Sequence, residues 1–204
     1  MYTPDAFAET ELDSLHDLIE SYNFGMLICH GEPTPLVSHL PFVLDRLQGP
    51  NGTLQAHMAR ANPQWQCFDG DVLAVFRGPH AYVSPSWYTP DAPAVPTWNY
   101  AVVEAYGTPR MVENPQALRA QQERLVAANE AGRSPSWNMD SQPAAYIDGM
   151  LKGIVAFEIP IDRLEGKFKL SQNRSATDQR QVAEALGESG SEDGLALSRL
   201  MDAE

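Results

Sequence analysis

Positive charge is scarce in this sequence. Lys and Arg number 14 against 27 Asp and Glu in 204 residues, a formal net charge of -13. Such a chain repels polyanions at long range, so direct DNA binding is doubtful on charge grounds. The first Lys or Arg is Arg46, which leaves the N-terminal stretch without the basic leader of a secretory signal or a basic arm. The longest purely apolar run, Val72 to Phe76, is far too short to span a bilayer. A cytoplasmic protein without a membrane segment is the expectation.

Cysteine is nearly absent. Cys29 and Cys67 belong to no CxxC or other ligand-spaced cluster, so neither a disulfide framework nor a thiolate metal site is expected, and both read as small buried hydrophobes. The five histidines form no HExxH or HxxxH arrangement, and no metal site is assigned. The chain also lacks GxGxxG, a Walker loop and a GxSxG elbow, which removes the usual dinucleotide, nucleotide triphosphate and hydrolase readings.

What is present is a long stretch of strand chemistry framed by helices. Leu12, Leu15, Leu18, Ile19 and Tyr22 share one face of an amphipathic helix over residues 11 to 22. From Gly25 to Val112 short apolar runs alternate with Gly, Pro and Asn: Met26 to Cys29, Val37 to Leu44, Leu54 to Met58, Val72 to Phe76 and Trp98 to Tyr106. That spacing predicts a sheet that curls or closes. Gln48-Gly49-Pro50-Asn51-Gly52 is hairpin chemistry, since Gly and Asn accept the positive φ of a tight reversal. Asn62-Pro63 and Asn114-Pro115 both read as a cap followed by proline at the first helical position. They predict a short helix ending near Gly70 and a longer one to about Glu130. A further helix is expected near Ala145 to Leu151, strands at Ile154 to Ile161 and Lys167 to Leu170, and a helix from Asp178 to Leu186. The Gly- and Ser-rich acidic segment after it leads to a weak last helix. The predicted organisation is one α+β, mainly β domain over 1–174, followed by a helical, acidic and mobile C-terminal tail over 175–204.

Three segments could carry chemistry. In the first, a strand delivers His57 and Arg60 to the free N–H groups of a new helix, which suits a phosphate; equally, Arg60 could pair with a carboxylate and His57 with a backbone carbonyl. The second comprises Ser84-Pro85-Ser86-Trp87-Tyr88 and Pro96-Thr97-Trp98-Asn99-Tyr100. Its rings could wall a flat heteroaromatic ligand or sit in a core or dimer interface. The third, Lys167 to Arg174, gathers three cations in an acidic chain and reads either as an anion-facing loop or as a guarded strand edge.

The blocks HMARANPQW (57 to 65), FRGPHAYVSPSWY (76 to 88), PTWNY (96 to 100) and KLSQNR (169 to 174), with MYTPDAF (1 to 7) and SHLPF (38 to 42), resemble the PaiB family of FMN-binding negative transcriptional regulators. The blocks keep their order from Met1 to Arg174, so the resemblance spans nearly the whole chain. It implies an FMN-binding split β-barrel with peripheral helices, related to the pyridoxamine-phosphate-oxidase type of flavoprotein, in which a homodimer holds FMN between subunits. Carried over by position, the resemblance places Ser38, His39 and Leu40 beside the isoalloxazine, and His57, Arg60 and Asn62, with Ala59 between them, at the ribityl phosphate. Trp87, Asn99, Ser171 and Gln172 would complete the cofactor site, some from the partner subunit. No protein side chain is assigned a catalytic role.

Two functions follow from different considerations. The resemblance implies a negative regulator of transcription, whereas the acidic charge favours an FMN-dependent oxidoreductase, of the flavin reductase or pyridoxamine-phosphate-oxidase-like kind, without direct DNA binding. A helix-turn-helix over Asp178 to Met201 would offer Glu192, Asp193 and Asp202 against Arg199, a poor recognition helix. The apolar loops at 84 to 88 and 96 to 100 support a dimer, being too apolar to be left exposed.

Overall fold

A computed structural model describes residues 1–90 and 93–202. Among these, ten strands and five α-helices follow in chain order. The first part runs β1 (Ala8–Glu9), α1 (Leu12–Ser21), β2 (Phe24–Cys29), β3 (Leu36–Pro41), β4 (Val43–Asp45), β5 (Thr53–Ala59), β6 (Val72–Val83) and β7 (Thr97–Gly107). The second part runs β8 (Arg110–Met111), α2 (Pro115–Glu130), α3 (Ala144–Lys152), β9 (Ile154–Pro160), β10 (Arg163–Lys169), α4 (Ala176–Gly187) and α5 (Glu192–Asp202). No helix among the described residues is long and apolar enough to cross a membrane.

The chain forms two compact units, one from Met1–Leu18, Arg77–Glu104 and the segment from Glu165 on, the other from Ile19–Phe76 and Ala105–Leu164. In the first unit the strands follow the order β1-β10-β7-β6, with Ala8 opposite Lys167 and Glu9 opposite Gly166. Ser175 starts α4 by accepting from the Asp178 N–H at 3.1 Å, half of a capping box. Asp178 in turn accepts from the Thr89 N–H and Oγ1, both at 2.8 Å. Val182, Leu186 and Leu197 bury α4 and α5 in this unit; residues 203 and 204 of the expected tail lie outside the described residues.

In the second unit β2 pairs antiparallel with β3 and with the start of β6. A four-stranded sheet has the order β4-β5-β9-β8. The hairpin between β4 and β5 uses positive φ at Gly49 (88°) and Gly52 (84°), as the turn chemistry requires. Leu27, Leu54, Phe42, Phe76, Phe157 and Ile159 are the large side chains of its core, where Phe42 meets Phe76 edge-on with centroids 5.3 Å apart. Helix α2 starts where Asn114 accepts from the Gln116 and Ala117 N–H groups. It is pinned to the smaller sheet by Gln121, whose Nε2 donates to the carbonyls of Ala56 (2.8 Å) and Phe157 (3.2 Å). Cys29 is buried and Cys67 half-buried, both as free thiols, and burial pushes the Cys29 thiol up.

Candidate flavin site

The chain leaving β5 turns at once. The Asn62 N–H donates to the Ala59 carbonyl at 2.9 Å, and the Asn62 side chain accepts from the Gln64 N–H at 3.0 Å. Pro63 follows at the first helical position, but the helix expected to run to Gly70 is a five-residue 3-10 turn, Pro63–Cys67. The shortening is set by distant partners: Gln64 is fully buried and its Nε2 donates to the carbonyls of Leu27 (2.9 Å) and Leu36 (3.1 Å), which ties the turn to β2 and the start of β3. The Asn62 Nδ2 donates to Ser38 Oγ at 2.8 Å. Two expected site residues 24 positions apart are thereby joined, and the Ser38 hydroxyl proton stays free to donate.

Ser38, His39 and Leu40 do not share a face, because a strand alternates. Leu40 is buried and Ser38 half-buried toward Asn62, while His39 is exposed and stacks with Phe24 at 6.5 Å between centroids. Phe24 is 67% exposed and Val37 51%, and the register sets Met26 opposite both His39 and Val75, and Ile28 opposite both Val37 and Leu73. An apolar outer face therefore surrounds His39 on a strand that ends its sheet.

Arg60 fastens the end of β5 to the junction of α3 and β9. Its backbone N–H donates to the Gly153 carbonyl at 2.8 Å, Nε to the Lys152 carbonyl at 2.9 Å and Nη2 to the Ile154 carbonyl at 2.8 Å. Its Nη1 has no partner among the described residues. A cavity of about 490 Å³ opens beside it, lined also by Lys152, Arg119, Glu113, Asp148 and Leu151. Arg119 directs Nε and Nη2 to Glu123 and Asp140, Arg60 Nη1 and Lys152 Nζ offer charged donors to an anion, and the Glu113 and Asp148 carboxylates in the same lining oppose one. Lys152 and its cavity were not legible in the sequence, since only the β5–α3 contact brings them to Arg60. Ala59 is exposed beside them, whereas His57 lines a different cavity. There its Nδ1 is buried without a partner, and burial pushes its pKa down.

The remaining four expected site residues lie in the first unit. Asn99 on β7 is fully buried and shares hydrogen bonds with Ser171, Nδ2 donating to Oγ at 3.0 Å and Oγ returning to Oδ1 at 3.2 Å. Ser171 holds φ at 72°, a left-handed conformation that is uncommon outside glycine. Gln172 closes the turn after β10, its Nε2 donating to the Phe168 carbonyl and its Oε1 accepting from the Leu170 N–H, both at 2.7 Å. Trp87 is half-buried in a 3-10 turn, Pro85–Trp87, capped by Ser84. Arg174 stacks over the neighbouring Tyr88 ring at 4.4 Å.

These features belong to a known class of fold. The structure is similar to that of an FAD- and heme-binding protein from Mycobacterium smegmatis, with a TM-score of 0.62 at 15% identity over 84% of this chain and 78% of that one. It is also similar to the flavocytochrome Anf3 from Azotobacter vinelandii, with a TM-score of 0.61 at 11% identity over 79% and 69%. The fold is an α+β split barrel of the flavin-binding type. Residues 1–163 match the family described as "Putative FMN-binding domain". The chain belongs to this family, and FMN is its cofactor. It is 32% identical over 204 residues to "Protease synthase and sporulation protein PAI 2" of Bacillus subtilis, covering 99% of this chain and 97% of that protein.

Proposed function

We propose that the protein is a flavin-bound homodimer acting as a negative regulator of transcription, with FMN lying between β3 and the Arg60 cavity. The observation that carries the flavin geometry is the chain of contacts from Ser38 through Asn62 to the turn that bears Arg60. The residues fit the group: Arg60 Nη1 and Lys152 offer charge-assisted donors to a phosphate, and Ser38, on the strand face turned toward Asn62, offers a hydroxyl proton to the ring edge. When bound, FMN supplies hydride or electron chemistry. The chain's own residues place it and shield it, and none is needed as a nucleophile.

The second subunit is supported by the outer face of β2, β3 and β6. Phe24 and Val37 are exposed on it and Met26, Ile28, Leu73 and Val75 half-buried between them, an apolar sheet surface that a monomer would leave partly in water. A two-fold pairing over this face would also cover the open edge of β3. Light scattering should find a dimer at micromolar concentration, and Phe24→Asp should dissociate it; a monomeric wild-type protein would remove this part of the reading. The regulatory role is supported by the PaiB-like motif blocks and by the relative whose name attributes protease synthesis and sporulation to it. The acidic charge of -13 favours a second reading, an FMN-dependent oxidoreductase. Rapid oxidation of NADH or NADPH by the FMN-loaded protein would select the second reading, and its absence together with a flavin-dependent effect on transcription would select the first.

A further inference from the structure

The cavity that receives His57 is separate in character from the one beside Arg60. It measures about 310 Å³ and is walled by Val126 of α2, Ile147 and Leu151 of α3, Ile154 of β9 and the aromatic rings of Trp137 and Tyr146. No Lys, Arg, Asp or Glu lines it, so nothing in its wall neutralises a phosphate or a carboxylate. That argues against FMN as its occupant and for a neutral molecule. At the mouth, Trp137, Tyr146 and Met150 are 40%, 56% and 57% exposed, an apolar rim around an apolar interior.

Two polar side chains interrupt these walls, and both carry an unmet hydrogen-bonding atom. Gln121 turns its amide to the sheet, whereas Gln122 lies in the cavity wall, 7% exposed, with a buried Nε2 that has no partner. His57 Nδ1 is orphaned in the same way. Burial keeps the imidazole neutral at physiological pH, so His57 adds no charge. Buried polar atoms without partners are rare in folded proteins, and a bound group is one way to satisfy them. The apolar walls give a lone water few other partners.

We propose that this cavity binds a small, neutral, flat molecule bearing a carbonyl group, with the carbonyl oxygen accepting from the Gln122 amide and the ring held against Trp137 and Tyr146. The site is a ligand pocket beyond the flavin, sharing Leu151 with the cavity beside Arg60 and none of its charged residues. Its size falls at the lower end for small-molecule sites, which run from roughly 300 to 1,000 Å³.

Calorimetric titration of the FMN-loaded full chain with 2-acetylnaphthalene and with its near-isostere 2-isopropenylnaphthalene tests the assignment. The acetyl compound should bind once per chain and about fivefold to tenfold tighter, the ratio one hydrogen bond supplies. Gln122→Leu should abolish that preference while the hydrocarbon still binds. Met150→Trp, a change at an exposed rim residue, should weaken both ligands by about tenfold or more, with circular dichroism and FMN content reporting that each variant folds. Absence of binding up to the solubility limit, an equal affinity for both compounds, or binding indifferent to Met150→Trp would overturn the proposal. So would displacement of the probe from apo-protein by excess FMN, which would make the cavity part of the flavin site.

Discussion

Nε and Nη2 of the Arg60 guanidinium already donate to main-chain carbonyls, so the side chain has a structural role whatever it binds. Arg60→Ala should therefore act on two quantities. Losing bonds at an exposed site lowers stability by about 1–2 kcal/mol. Losing a charge-assisted contact to phosphate, worth about 1.5–3 kcal/mol, weakens FMN by roughly tenfold to a hundredfold. Riboflavin, lacking the phosphate, should lose far less, and titration of both flavins into apo-protein separates the effects. Equal losses for the two ligands would leave Arg60 as a fastener only. Asp178 poses a different residue-scale question. The Thr89 backbone N–H, then its hydroxyl, hold this carboxyl below the ordinary carboxylate range. A depressed folded pKa stabilises above the unfolded value, near 4, and that contribution is lost as pH falls through the folded pKa. In urea unfolding at pH 7 and pH 3, Asp178→Asn should be less stable than wild type at pH 7 and should lose less on acidification.

At the scale of elements, close approach decides several boundaries. A Cβ on Gly107 would stand 2.1 Å from the Pro160 carbonyl oxygen and 3.0 Å from Ile159 Cγ2. Because the nearest obstacle is backbone, Gly107→Ala must push the end of β7 from the end of β9, at a cost of about 1–3 kcal/mol, measurable as a lowered denaturation midpoint with unchanged slope. Elements coded locally were legible in the sequence. Asn114-Pro115 announced α2 at its observed start, and Gly49 and Gly52 announced the β4–β5 hairpin, because caps and turns are written in adjacent residues. Elements fixed by distant partners were not. The strand read as ending at Phe76 continues to Val83 through Gly78-Pro79, where β2, paired only with Leu73 to Val75, no longer needs an N–H from it. Likewise the strand expected to begin at Lys167 begins at Arg163, and Gly166 lies under Leu15, where a Cβ would be 2.2 Å from Leu15 Cδ2. The candidate site divides the same way: His57, Arg60 and Asn62 stand out by residue type, whereas Lys152 and Gln122 carry no local signal and gain meaning only from what folds against them.

For the whole molecule, the two compact units interleave segments that are far apart in sequence, so no linear boundary announces them. Net charge needs no fold to be read, and it bears on how the protein could regulate transcription. Specific DNA binding begins with cations that displace counterions from phosphates, and log affinity falls with log salt in proportion to the number of such contacts. Here each chain carries -13, and a dimer doubles it. The C-terminal helix pair offers no exception: on α5, Glu192 and Asp202 are exposed beside Arg199, while Asp193 lies 3.2 Å from His80 Nδ1. A recognition helix of this composition would meet the DNA backbone with like charge. The isolated FMN-loaded protein should therefore give no competitor-resistant gel shift at nanomolar concentration in low salt, the condition that most favours ionic contacts. If regulation nevertheless operates in cells, it must pass through a partner or a flavin-linked reaction, and the same assay with cell extract added should then yield a shift that depends on this protein. A salt-sensitive, sequence-selective shift by the purified protein alone would instead place DNA contacts on a locally basic surface, overriding the molecule's net field.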